Sequence, residues 1–98
     1  MRVGRILAAE EFPAARKPSY LLSIDFGDLG VRASIAALKE DYERDDLPGR
    51  RVVCVVNLPR RRVAGFPSEV LVLAAVEASG GLRLLSTTPE AELGSHIA

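Results

Sequence analysis

A single cysteine, Cys54, and a single histidine, His96, stand in a chain of 98 residues. One cysteine excludes an intramolecular disulfide framework and a cysteine-rich zinc site. One histidine, third from the C-terminus, leaves no histidine cluster for catalysis or metal binding. Tryptophan is absent, and the aromatic rings are Phe12, Tyr20, Phe26, Tyr42 and Phe66. Proteins that grip single strands stack bases on several rings, so that mode is poorly equipped here. Glutamine is missing, asparagine occurs once, at Asn57, and arginine outnumbers lysine eleven to two. The longest apolar run, Val70 to Val76, has seven residues and cannot span a bilayer. Met1 to Arg5 leads into Glu10-Glu11 with no long apolar stretch, which is not the pattern of a signal peptide. The expectation is a reduced, cytoplasmic protein with no membrane insertion. Thirteen basic residues balance thirteen acidic ones. Bulk charge therefore argues against a polybasic nucleic-acid binder, and any such binding must come from a local patch.

What is present is mostly β patterning, and the length suits one domain over residues 1–98. Tyr20, Leu22, Ile24 and Phe26 alternate with Leu21, Ser23 and Asp25, the period of a strand with one buried face. Gly27-Asp28-Leu29-Gly30 is a turn, and Val31 to Ala36 alternates again, so the two stretches predict a hairpin. Its second face is expected to carry Ser23, Asp25, Arg32 and Ser34. Arg2 to Phe12 is a strand ended by Pro13. Lys39 to Asp46 has no period of two and predicts a short helical insert, stopped by Leu47-Pro48-Gly49. Arg51 to Leu58 and Val70 to Val76 are apolar on both faces and should be central strands. Leu82 to Ser86 follows the Ser79-Gly80-Gly81 turn as a further short strand. Five or more strands with a short helical insert between the third and fourth fit an all-β, five-stranded OB-fold barrel. A β-sandwich is the alternative, but it usually needs more strands.

The zero net charge hides a division. Glu40 to Asp46 holds five acids and one base, while Arg50 to Arg62 holds five bases and no acid. Arg60, Arg61 and Arg62 follow Asn57-Leu58-Pro59, in what the pattern makes a loop between two central strands. Arginine forks engage phosphate oxygens bidentately, and a loop lets several converge on one backbone. The same run also suits a solvated surface, or pairing with the acidic insert. Catalysis finds no constellation. Glu10 and Glu11 are adjacent and point to opposite faces of a strand. Asp45-Asp46 has no histidine nearby, and Cys54 lies mid-strand among valines. No enzyme, cofactor or metal site is expected.

Two segments carry a resemblance. Arg2-Val3-Gly4-Arg5-Ile6-Leu7-Ala8-Ala9-Glu10 is similar to the opening of a tRNA-binding domain family. That family includes the C-terminal domain of bacterial methionyl-tRNA synthetases. Asn57-Leu58-Pro59-Arg60-Arg61-Arg62 through Gly65 to Ser68 and Leu73 resembles the family's second signature. After that serine the synthetase-type domains carry Gln-Gly-Met. Here Glu69-Val70-Leu71 resembles the CsaA branch, the small secretion-related chaperones. The resemblance spans essentially the whole chain. It implies an OB barrel with extra terminal segments, a homodimer, tRNA as a partner, and chaperone activity toward unfolded or exported polypeptides. Carried over position by position, it implies RNA contacts at Arg32, Ser34, Asn57, Arg60, Arg61, Arg62 and Ser68. Where the family has Gln-Ser-Ser after the Arg32 position, this chain has Ala33-Ser34-Ile35. The alternative is a polypeptide-binding chaperone only, with an apolar groove at the dimer. A dimer has its own motivation, since strands apolar on both faces need a cover beyond one barrel interior. Leu85 to Ala98 could exchange across a two-fold axis.

Overall fold

Every second residue from Tyr20 to Phe26 is buried, and the ones between are half-exposed. This period of two defines β2 (Tyr20–Asp25) in the computed structural model, which describes residues 1–98. Burying Leu22, Ile24 and Phe26 contributes roughly 1.5–3 kcal/mol each. β1 (Arg2–Glu11) is long enough to serve two partners. Its first part pairs with β4 (Arg51–Val55) from Arg2↔Cys54 to Arg5↔Arg51. Its second part pairs with β2, with a register shift between Ile6 and Ala8 that bends the strand. Gly4 is needed at the crossing. A Cβ there would meet Ile24 Cγ2 at 2.6 Å and Phe26 Cε1 at 2.8 Å. β3 (Val31–Ala36) and the two-residue β7 (Leu71–Val72) complete an antiparallel sheet of order β3-β2-β1-β4-β7.

The sheet curls until β3 meets the segment entering β7, and this seam is closed largely by side chains. The Glu69 N–H donates to Ala33 O at 2.8 Å, the one backbone–backbone bond in it. The Ala33 N–H donates to Glu69 Oε1 (3.1 Å) and the Ile35 N–H to Ser68 Oγ (3.1 Å). Ser34 Oγ donates to Val70 O (2.8 Å). A buried backbone group must find a partner, and here hydroxyls and a carboxylate replace a regular ladder. The result is the expected all-β, five-stranded, nearly closed barrel. Its core is Ile6, Tyr20, Leu22, Ile24, Phe26, Leu38, Leu47, Val52, Cys54 and Val70.

Four sequence expectations change in detail. The helical insert shrinks to a single 3₁₀ turn at Arg44–Asp46. Glu40 and Glu43, and Asp41 and Asp45, would be like-charge neighbours on a helix, which disfavours one. Leu38 and Leu47 anchor the segment in the core instead. The strand expected over Val70 to Val76 breaks at Leu73: β7 stays with β4, while β8 (Ala74–Val76) pairs with β9 (Leu82–Leu84). Its second face is not buried within one chain, and Val76 is 72% exposed. Arg61 and Arg62 lie not in a loop but in β5 (Arg61–Val63), which forms a hairpin with β6 (Phe66–Ser68). Finally, the β2–β3 register is Ile24↔Arg32 and Leu22↔Ser34. Directly opposed residues of an antiparallel pair share a face, so Arg32 and Ser34 lie on the core side, opposite to Ser23 and Asp25.

The C-terminal segment packs on its own barrel. The Val3 N–H donates to Ser95 O (3.0 Å), Gly94 N–H to Val3 O (2.7 Å) and Ile97 N–H to Met1 O (3.1 Å).

Candidate nucleic-acid interface

The arginine run is displayed by the β5–β6 hairpin. Its turn is Ala64-Gly65, with φ of 50° and 83°. Positive φ at both central residues is the conformation that matches the twist of hairpin strands. Arg60, Arg61 and Arg62 are all exposed, as are Asn57 and Leu58 before them. Their partners differ. Arg60 Nη2 lies 3.2 Å from Glu69 Oε2. Arg62 Nη1 donates to Gly65 O at 2.8 Å across the turn. Arg61 has neither a hydrogen bond nor an ion pair, so its whole fork is open. None of the three pairs with the acidic segment Glu40 to Asp46, whose one ion pair is the local Arg44–Asp45.

Arg32 and Ser34 reach this region from β3. Arg32 is half-buried at the turn end of the strand and has no side-chain partner. Its neighbour Ala33 donates its backbone N–H to Glu69, the carboxylate that also meets Arg60. Ser34 and Ser68 are different in kind. Both are 2% exposed, and both hydroxyls are committed to the barrel seam. Ser68 ties the hairpin to β3, and Ser34 ties β3 to the chain just after the hairpin.

Two basic residues not expected from the sequence join the site. A groove of about 550 Å³ runs between the loop after β1 and the hairpin. Arg16 and Lys17 stand on one side and Arg62 on the other, and no carboxylate lines it. Its floor is Ile35, Val63 and four alanines, Ala14, Ala15, Ala37 and Ala64. Small side chains admit a polymer backbone closely, and the flanking cations suit its phosphates. Arg16-Lys17 is the only basic pair between Glu11 and Asp25, but nothing in the local sequence says the fold brings it opposite the arginines. Phe66 on the hairpin is 37% exposed and meets Phe12 edge-on, ring centroids 5.8 Å apart. It offers one surface ring, whereas Tyr20 and Phe26 are buried in the core.

The chemistry of the remaining candidates is quiet. Burial pushes the Cys54 thiol up to about 12, far from a nucleophilic thiolate. A hydrogen bond from Lys39 to Glu11 (2.6 Å) raises the lysine's pKa. Burial raises that of Tyr20, whose hydroxyl donates to Tyr42 O at 2.8 Å. No group of three or more His, Cys, Asp or Glu could hold a metal ion. No helix is long and apolar enough to cross a membrane.

The family described as "Putative tRNA binding domain" matches residues 1–96. The methionine–tRNA ligase of Porphyromonas gingivalis is 35% identical over 98 residues, 99% of this chain and 14% of that enzyme. The methionine–tRNA ligase of Thermococcus onnurineus is 36% identical over 97 residues, 99% of this chain and 13% of that enzyme. The chain thus spans about a seventh of the curated relatives it matches. Among solved structures, chaperone CsaA from Bacillus anthracis superposes with a TM-score of 0.92 at 46% identity, covering 99% of this chain and 88% of that one. The CsaA chaperone of Picrophilus torridus gives 0.92 at 41% identity, covering 99% and 89%.

Proposed function

This chain belongs to the tRNA-binding domain family, and from that premise we propose that it binds tRNA through the β5–β6 hairpin and the groove beside it. Arg32, Asn57, Arg60, Arg61 and Arg62 are the contacts, with Arg16 and Lys17 across the groove. Ser34 and Ser68 serve the interface indirectly, by fixing the hairpin and the chain just after it to β3. The observation that carries this reading is a run of exposed arginines whose last member, Arg62, lines a groove together with Arg16 and Lys17 and no carboxylate. One surface ring is too few for a stacking platform, so recognition is by shape and phosphate. The domain does not catalyse a reaction; the synthetase relatives owe theirs to parts this chain does not span. Electrophoretic shift with total tRNA tests the reading. Binding is expected at ~50 mM salt and falls steeply toward ~200 mM, because each phosphate contact releases counterions. No shift at the lower salt overturns it.

We further propose that the chain works as a homodimer in the cytoplasm. Val76, Leu85 and Leu71 are 72%, 45% and 37% exposed on one chain, apolar side chains that a second copy would cover. The same side chains support a second reading, a chaperone for unfolded or exported polypeptides, and the similar CsaA structures are named as chaperones. Suppression of aggregation of an unfolding client checks it. Protection is expected to survive the loss of the arginines, and no protection at several-fold molar excess counts against it.

A further inference from the structure

The three arginines of the hairpin are not equivalent, and the difference lies in Glu69. This residue is largely buried, with 22% of its side chain exposed against 71% for Arg60. One carboxylate oxygen accepts the Ala33 N–H at 3.1 Å and so belongs to the barrel seam. The other lies 3.2 Å from Arg60 Nη2. The carboxylate cannot turn toward solvent without giving up the seam, so its charge is fixed beside Arg60. Arg62 meets only a neutral carbonyl and keeps its full charge, and Arg61 meets nothing.

From this we infer that Glu69 is a specificity-determining residue of the interface: it ties Arg60 to the seam and offsets its charge, leaving Arg61 and Arg62 as the main phosphate contacts. A run of three free arginines would bind any polyanion. With the charge of the first one offset, binding depends on a ligand whose shape also reaches Arg32 and the groove. This rests on the tRNA-binding reading above and ranks the residues within it.

The test is Glu69→Gln, alone and with Arg60→Ala, read by fluorescence anisotropy with labelled tRNA and with heparin as a shapeless polyanion. The amide oxygen of glutamine still accepts the Ala33 N–H, so the melting temperature is expected to hold while Arg60 is released. Release of one arginine steepens the slope of log affinity against log salt by ~0.7–0.9. It tightens tRNA binding at ~50 mM salt by about 3-fold and heparin binding by more. In the Arg60→Ala background Glu69→Gln changes nothing, because the two residues act as one unit. Unchanged affinity and slope for Glu69→Gln, or the same gain without Arg60, overturns the inference. If Glu69→Gln does not fold, the arginines decide. Arg60→Ala is expected to weaken tRNA binding less than ~2-fold and Arg61→Ala by ~3-fold or more, whereas equal losses overturn the ranking. Failure of the underlying reading looks different: the wild type binds no tRNA, or Arg61→Ala leaves binding untouched.

Discussion

Ser34 and Ser68 illustrate how a residue can be close to a function without touching the ligand. Each hydroxyl is buried and bonded to a backbone group across the seam. Ser68→Ala orphans the Ile35 N–H, which should cost about 1–3 kcal/mol by denaturant unfolding. Residual tRNA affinity in the folded fraction is expected to stay near wild type; a large affinity loss with unchanged stability would instead make Ser68 a direct contact. Their motif position was legible in the sequence, but their commitment was not, because it depends on which strand they face. Arg32 and Ser34 show the same limit. Alternation along β3 is plain, yet the face each residue takes is set by the number of residues in the Gly27–Gly30 turn. Cys54 makes a second prediction at this scale. Burial raises its thiol from 9.0 to about 12, so the folded state holds the proton more tightly than the unfolded one. That contribution is complete below pH 9.0 and is lost as pH rises toward about 12. Cys54→Val, of similar volume, should therefore flatten the decline in melting temperature between these limits, and an equal decline in both proteins would refute it.

At the scale of elements, strands with one clean apolar face were readable and short ones were not. β2 reveals itself because every alternate residue is buried. β5 and β6 have three residues each, and Arg61-Arg62-Val63 carries no alternation to read, so the hairpin looks like a loop. The break at Leu73 is equally silent, since a continuous apolar run does not say when a strand changes partner. The hairpin turn holds Ala64 at φ 50°, where a Cβ is disfavoured by roughly 1–2 kcal/mol. Ala64→Asn, a residue at ease in that conformation, is expected to stabilise the protein by up to ~1 kcal/mol, a rise of ~4–8 °C in Tm. A lower melting temperature would mean the turn is not strained in this way.

At the scale of the molecule, zero net charge describes two charged districts rather than a neutral surface. The acidic insert and the arginine hairpin form no ion pair with each other, and the insert's Glu40 and Asp41 share a second cavity with Lys17 of the groove wall. The exposed apolar side chains of Val76, Leu71 and Leu85 are the other unbalanced feature. If a second copy covers it, Val76→Glu shifts the protein to a monomer in sedimentation, and a mutant that remains dimeric places the interface elsewhere. Such a variant should keep its fold, because Val76 is 72% exposed on the single chain. The central claim is that the hairpin arginines hold tRNA, and it is tested most directly by anisotropy of labelled tRNA against wild type and the Arg60→Ala, Arg61→Ala, Arg62→Ala triple variant over a range of salt. The account predicts weaker binding and a salt slope shallower by ~1.4–1.8, the loss of two phosphate contacts. Equal affinity and equal slope in the two proteins would contradict it.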